Sequence, residues 1–89
     1  MVLYVGEPRA VSEALKKEAD AIRAKGQTPG IIDFRGDTQE AARFFYSRLR
    51  RFDTEGVDLI LCAGVEEEGL GEAVMDRMRK AAGYHIVRV

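Results

Sequence analysis

The sequence is poor in the residues that build metal centres and disulfide frameworks. Its 89 residues include one cysteine, one histidine, two prolines and no tryptophan. A single cysteine cannot form an internal disulfide, and one cysteine with one histidine does not supply the ligands of a zinc site. We therefore expect no metal site, no disulfide and a reducing, cytoplasmic environment.

The chain also lacks an excess of charge of either sign and any long apolar run. Its 14 basic and 15 acidic residues give a formal net charge of −1, which provides no general attraction for nucleic acid or an anionic membrane. No apolar run approaches the ~20 residues of a membrane helix, and no signal-like leader opens the chain. We expect a single domain over residues 1–89 with no direct nucleic-acid partner and no membrane partner.

Short apolar segments alternate with longer amphipathic ones along the chain. The predicted strands are Val2–Val5, Gly30–Phe34, Val57–Ala63 and Tyr84–Val89. The predicted helices are Arg9–Lys25, a segment from the N-cap Asp37 to Gly56, and Gly71–Ala82. The strands begin roughly 27–29 residues apart, the length of one strand–helix unit. The pattern predicts an α/β fold, β-α-β-α-β-α-β, with four mainly parallel strands in a three-layer α-β-α sandwich.

The hydrophobic pattern also predicts which positions face the sheet and where each strand lies. The expected inward positions are Val11, Leu15, Ala19 and Ile22 on the first helix, and Leu70, Val74, Met78 and Ala81 on the third. Two helices on one face and one on the other would give the strand order 2-1-3-4. Half-polar alternation in the fourth strand is typical of an edge strand.

A glycine pair, Gly69 and Gly71, stands between the third strand and the third helix. Such a pair can let backbone amides approach a phosphate, but a dinucleotide fingerprint needs a third glycine where this chain has Val74. Glu66–Glu68 precede the pair, and their charge would repel a phosphate more strongly than the helix N-terminus attracts it. We therefore interpret the pair as the start of a helix; a phosphate site and a partner-contacting loop are the alternatives.

Charged residues follow the predicted strands at the edge where parallel α/β sheets bind ligands. The candidates for ligand or interdomain contact are Asp33, Arg35, Asp37, Glu68, Gly69 and Gly71. Mixed charges at such an edge can hold a polar ligand, but they can equally pair with one another, and pairing is the favoured interpretation.

Two residues of the third strand have side chains that could take part in catalysis, but a structural role explains each of them. Asp58 is expected at the wet beginning of the strand, because a buried charge without a partner is costly. Cys62 is expected to be an inert core residue. A catalytic thiolate needs an activating base, and His85 falls near the wrong end of its own strand. We predict no catalytic residue in this chain.

The second helix combines arginines with aromatic residues, namely Arg43, Arg48, Arg50 and Arg51 with Phe44, Phe45 and Tyr46. Arginine and aromatic side chains serve together in RNA recognition. The nearly neutral chain favours a solvated helix face instead. An exposed aromatic residue here would point to a protein partner.

The second half of the chain resembles the Sua5 accessory domain of threonylcarbamoyl-AMP synthases. The similar elements are Gly56–Asp58, the acidic loop into Gly69–Gly71, the helix Ala73–Ala82, the closing strand Tyr84–Val89, and the segment Ala41–Leu49 before Phe52 and Asp53. Residues 1–36 are similar only in layout. The resemblance implies a Rossmann-like domain that docks on a YrdC-like catalytic domain absent from this chain.

The resemblance also implies what the full enzyme would use. It would make threonylcarbamoyl-AMP from threonine, bicarbonate and ATP, with magnesium, for the t6A modification of tRNA. The basic substrate motif of the YrdC-like domain has no counterpart here, so no catalytic residue and no cofactor is carried over to this chain. The alternative function is a small-ligand, nucleotide-binding module, and self-association is left open.

Overall fold

Strands and helices alternate strictly in the computed structural model, which describes all residues from Met1 to Val89. The elements are β1 (Val2–Val5), α1 (Pro8–Ala24), β2 (Pro29–Ile32), α2 (Thr38–Glu55), β3 (Leu59–Ala63), α3 (Leu70–Ala81) and β4 (Ile86–Arg88). Every predicted element is present, although β2, β3 and β4 are shorter than predicted. Tyr84 lies outside β4 because its backbone adopts a positive φ of 61°.

The four strands form one parallel sheet with helices on both faces. The order is β2-β3-β1-β4, so β2 and β4 are the edge strands. One core cluster joins α1 to the sheet, and a second joins α2 and α3 to the opposite face. The predicted three-layer α/β class, the two-plus-one distribution of helices and the edge position of β4 are therefore confirmed.

The predicted strand order 2-1-3-4 is wrong, because the two inner strands are exchanged. Hydrophobicity could not show which inner strand lies beside β2, because β1 and β3 are both apolar throughout. Specific hydrogen bonds distinguish them. The backbone N–H of Asp58 donates to the carbonyl of Thr28 at 2.8 Å, and the Thr28 N–H donates to Asp58 Oδ2 at 2.7 Å. This reciprocal pair joins the starts of β2 and β3, while Leu3 N–H donates to the carbonyl of His85 at 3.0 Å and ties β1 to β4.

Asp58 should therefore contribute to stability although it is exposed, as the sequence predicted. We expect Asp58→Ala to lower the free energy of unfolding by about 1 kcal/mol, because the Thr28 N–H loses its acceptor. Asp58→Asn keeps an acceptor and should lose less. Asp53→Ala, at an exposed acidic position with no side-chain hydrogen bond, is the matched control. Urea unfolding of the four proteins would measure this; equal stability of Asp58→Ala and the control would contradict the role given to Asp58.

The face covered by α1 follows the sequence pattern closely. The predicted inward residues Val11, Leu15, Ala19 and Ile22 are the buried residues of this helix. They pack in one cluster with residues of β1 and β3, including the fully buried Leu61. A single helix therefore covers a four-stranded sheet on this side, and Ile31 of β2 remains 38% exposed.

The opposite face differs from prediction at the start of α3. Leu70, expected to face inward, is 49% exposed. The buried residues of α3 are Gly71, Val74, Met75 and Met78. The inward stripe thus begins at a glycine, which carries no side chain and gives no hydrophobic signal. None of the helices combines the length and the apolar character needed to cross a bilayer.

Candidate functional site

The carboxyl edge of the sheet contains a topological switch point. The adjacent strands β1 and β3 lead into α1 and α3, which pack on opposite faces of the sheet. In open α/β sheets, ligands bind in the crevice that opens where neighbouring connections diverge in this way. A cleft of about 1040 Å³ lies at this edge and continues along α1. Its lining includes Gly6 after β1, Asp33 after β2 and Gly64 after β3.

The structure brings only two of the predicted site residues into this cleft. Asp33 and Arg35 both line it. The backbone N–H of Arg35 donates to Asp33 Oδ1 at 2.8 Å, and Arg35 adopts a positive φ of 52°. Asp33 therefore fixes the turn after β2. Asp37 does not line the cleft; its Oδ1 accepts the backbone N–H of Glu40 at 3.0 Å and caps α2 as the sequence predicted.

The other three candidates lie outside the cleft. Glu68 is exposed, and Gly69 borders a small depression at the start of α3. Gly71 is buried. A Cβ atom added to it would overlap the carbonyl oxygen of Glu66, so only glycine allows the loop to lie this close to the helix. This geometry agrees with the interpretation of the pair as a helix start.

Backbone groups of the loop already serve the first amides of α3. Gly71 N–H donates to the carbonyl of Glu68 at 2.9 Å, and Glu72 N–H donates to that of Gly69 at 3.2 Å. Nearby, Glu67 forms an ion pair with Arg79. The residues at this turn therefore do not fit a phosphate: the helix start is closed by the chain's own carbonyls and lies beside several carboxylates.

A second helix start at the switch point is capped by Glu7, a role that was not predicted from the sequence. The Glu7 carboxylate accepts the backbone N–H groups of Arg9 at 3.1 Å and Ala10 at 3.0 Å. The cap sits directly before Pro8, the first residue of α1, and an acceptor followed by proline at the first helical position was an available signal. The position that binds phosphate in dinucleotide-binding domains thus carries the chain's own negative charge.

Cys62 is inert by position, as predicted. Its side chain is fully buried, and burial, with a smaller contribution from the Asp33 charge, raises the pKa of the thiol to about 12. His85 is exposed, and β1 lies between β3, which holds Cys62, and the β4 side of the sheet. The two residues therefore do not form a nucleophile–base pair.

The raised pKa of Cys62 predicts a pH dependence of stability. The folded state holds the thiol proton more tightly than the unfolded state, whose reference value is 9.0. This stabilisation is fully present below pH 9 and is lost as pH rises toward 12. From pH 9 to 10, stability should fall with a slope approaching about 1.4 kcal/mol per pH unit. Denaturant unfolding of the wild type and Cys62→Ala would test this, since the variant should lack that component; identical slopes would contradict it.

No group of three or more histidine, cysteine, aspartate and glutamate side chains is arranged to hold a metal ion. The basic face of α2 is partly neutralised within the chain. Arg48 lies over the Phe34 ring at 4.6 Å and pairs with Glu40 at 3.3 Å, and Arg51 pairs with Glu55 at 3.4 Å. These contacts favour a structural role for the arginines over RNA recognition.

Two exposed tyrosines lie on α2 and in the turn between α3 and β4. Tyr46 is 50% exposed and Tyr84 is 63% exposed. Both lie near Lys80: the pKa of Lys80 is raised chiefly by its hydrogen bond to Asp76, and also by the neighbouring Tyr84 and Tyr46. Lys80 Nζ lies 2.9 Å from Asp76 Oδ2. These four residues, Tyr46, Asp76, Lys80 and Tyr84, are called the tyrosine patch below.

Comparison with known proteins identifies relatives along the whole chain. Residues 3–83 match the family described as threonylcarbamoyl-AMP synthase, C-terminal domain. The threonylcarbamoyl-AMP synthase of Pyrococcus abyssi is 56% identical over 100 aligned positions, which cover 99% of this chain and 29% of that protein. This chain thus spans less than a third of the length of that relative.

Two solved structures share the fold. A crystal structure of P. abyssi Sua5 with L-threonine superimposes with a TM-score of 0.92 at 37% identity, covering 99% of this chain and 29% of that one. The C-terminal Sua5 domain of a Pyrococcus horikoshii protein superimposes with a TM-score of 0.79 at 30% identity, covering 99% and 94% respectively.

Proposed function

The chain belongs to the family of C-terminal domains of threonylcarbamoyl-AMP synthases, and from this membership we propose that it is an accessory domain that docks on a YrdC-like catalytic domain. The main support for the proposal is that the alignment covers 99% of this chain but only 29% of the P. abyssi relative. We propose that the catalytic domain lies in the part of such a protein that this chain does not cover. The absence of a nucleophile–base pair in the chain is consistent with that division.

The reaction of the full protein is part of the same proposal. We expect the parent enzyme to form threonylcarbamoyl-AMP from threonine, bicarbonate and ATP with magnesium, in the pathway to t6A in tRNA. In this view the reacting substrates bind to the catalytic domain, because the basic substrate motif of the YrdC-like domain has no counterpart in this chain. The single-domain organisation and the cytoplasmic location stay predictions.

The tyrosine patch is the surface that best fits a protein partner. Tyrosine supplies a large apolar contact area and a hydroxyl that can bind at a wet interface, and it is enriched among residues that dominate binding energy. The Asp76–Lys80 ion pair beside the rings is exposed and can exchange partners at little cost. Tyr84 has a positive φ of 61°. Residues other than glycine are uncommon in this backbone region, and those that adopt it are often found at functional sites.

The docking proposal can be tested with separate domains. The chain would be titrated into a YrdC-like catalytic domain that carries its interdomain linker, with calorimetric detection. We expect saturable binding that weakens about tenfold for Tyr46→Ala and again for Tyr84→Ala, because each substitution removes an aromatic contact.

Phe44→Ala provides the matched control. Phe44 is 42% exposed but lies two residues from Tyr46, roughly 200° around the helix, so it should not affect binding. Absence of binding by the wild-type chain would refute the docking proposal. Equal loss in Phe44→Ala and Tyr46→Ala would refute the assignment of the tyrosine patch.

A further inference from the structure

We propose that the cleft at the carboxyl edge of the sheet is a binding site for a nucleoside di- or triphosphate, separate from the tyrosine patch. The proposal rests on three features of the cleft: its charge, the three of its arginines that form no ion pair, and the apolar residues beside them. It does not depend on the docking proposal.

Positive charge is concentrated in the cleft. Six of its lining side chains are cationic and three are acidic, whereas acidic residues outnumber basic ones by one in the whole chain. A concave surface lined mainly by one sign of charge focuses the electrostatic potential and raises the local concentration of oppositely charged ligands. The cleft therefore favours an anion although the chain as a whole does not.

Four of the cationic side chains are available to a ligand, namely Lys16 and three arginines. Arg23 pairs with Asp20 and Arg79 pairs with Glu67. In contrast, Arg9, Arg35 and Arg88 have no carboxylate within ion-pair distance. They come from α1, from the turn after β2 and from β4 respectively, so they border the cleft on different sides.

Guanidinium groups favour phosphate oxygens over single-point anions. Their planar donors form paired hydrogen bonds with phosphate or carboxylate. Three such groups on separate elements match a ligand with several charged oxygens better than one monovalent anion. Because Glu7 already occupies the N-terminus of α1, the phosphates would be held by side chains rather than by that helix.

The floor of the cleft supplies the apolar part of the site. The apolar lining combines Ile31 of β2, which is 38% exposed, with Tyr4 of β1 and Leu15 and Ala19 of α1, which are largely buried. Binding pockets commonly combine such an apolar wall with a few charged groups that set orientation. A flat base can lie in this groove while its phosphates reach the arginines, which makes a nucleotide a better match than inorganic phosphate alone.

Isothermal calorimetry with the 89-residue chain tests this proposal, and the independently crystallised P. horikoshii domain indicates that such a unit folds alone. ADP and ATP are expected to bind, tripolyphosphate and citrate to bind more weakly, and adenosine not to bind. Raising the salt concentration should weaken ADP binding, because the exposed arginines are screened.

Variants of the cleft should change affinity without changing folding. Arg9→Gln and Arg88→Gln are each expected to weaken ADP binding about tenfold, with unchanged circular dichroism. Arg77→Gln is the matched control, since Arg77 is exposed, unpaired and outside the cleft. Three results would overturn the proposal: no binding of ADP or ATP at millimolar concentration, citrate binding as tight as ADP, or equal effects of Arg77→Gln and Arg9→Gln. Each would stand whether or not the chain docks on a catalytic domain.

Discussion

Gly71→Ala is expected to destabilise the chain by about 2–3 kcal/mol. The added methyl group would overlap the carbonyl oxygen of Glu66, and that oxygen belongs to the backbone, which cannot rotate away as a side chain can. Either the loop or the start of α3 must move, with the cost typical of an overpacked core position. Thermal unfolding should show a melting temperature lower by roughly 8–24 °C for a domain of this size.

Gly69→Ala is the matched comparison within the same turn. Gly69 has a positive φ of 55° but no atom within 4 Å of an added Cβ. Its substitution should therefore cost backbone strain alone, about 1–2 kcal/mol. If the two variants were equally stable, the close approach of the loop to Gly71 would not be the reason for the second glycine.

Leu61→Ala is expected to have the largest effect, a loss of about 3–4 kcal/mol. Leu61 is 0% exposed and lies on β3, an inner strand, beneath the single helix that covers this face. Truncation removes buried methyl groups and leaves a cavity in a small core. Guanidinium unfolding would measure the change.

Leu59→Ala is the control for Leu61→Ala on the same strand and the same face. Leu59 is only partly buried against that cluster, so its truncation should cost clearly less. Comparable losses for the two variants would contradict the packing of α1 over the middle of the sheet.

The alternating architecture could be predicted because local patterns encode it. The buried stripe of α1 has helical spacing throughout, and Asp37 and Gly56 mark the two ends of α2 by their capping chemistry. The strand order could not be predicted in the same way. It depends on a contact between Thr28 and Asp58, which are 30 residues apart, and neither residue belongs to a hydrophobic pattern.

The candidate site was predictable only as a region. Topology placed Asp33 and Arg35 at the carboxyl edge, where parallel strands end together. The same reasoning could not show that Asp37 caps α2 instead of lining the cleft, or that Gly71 is buried. Both outcomes depend on the path of a loop. The convergence of Tyr46 and Tyr84 near Lys80 depends on how α2 packs against α3, which the sequence of either helix alone does not contain.

We propose that this chain meets a catalytic domain through the tyrosine patch. A heteronuclear NMR titration of the isotope-labelled chain with the unlabelled catalytic domain and its linker tests this contact residue by residue. We expect the largest chemical-shift changes at Tyr46, Asp76, Lys80 and Tyr84, and little change at Arg9 and Arg35 in the cleft. An unchanged spectrum, or changes centred on the cleft and absent from the tyrosine patch, would contradict it.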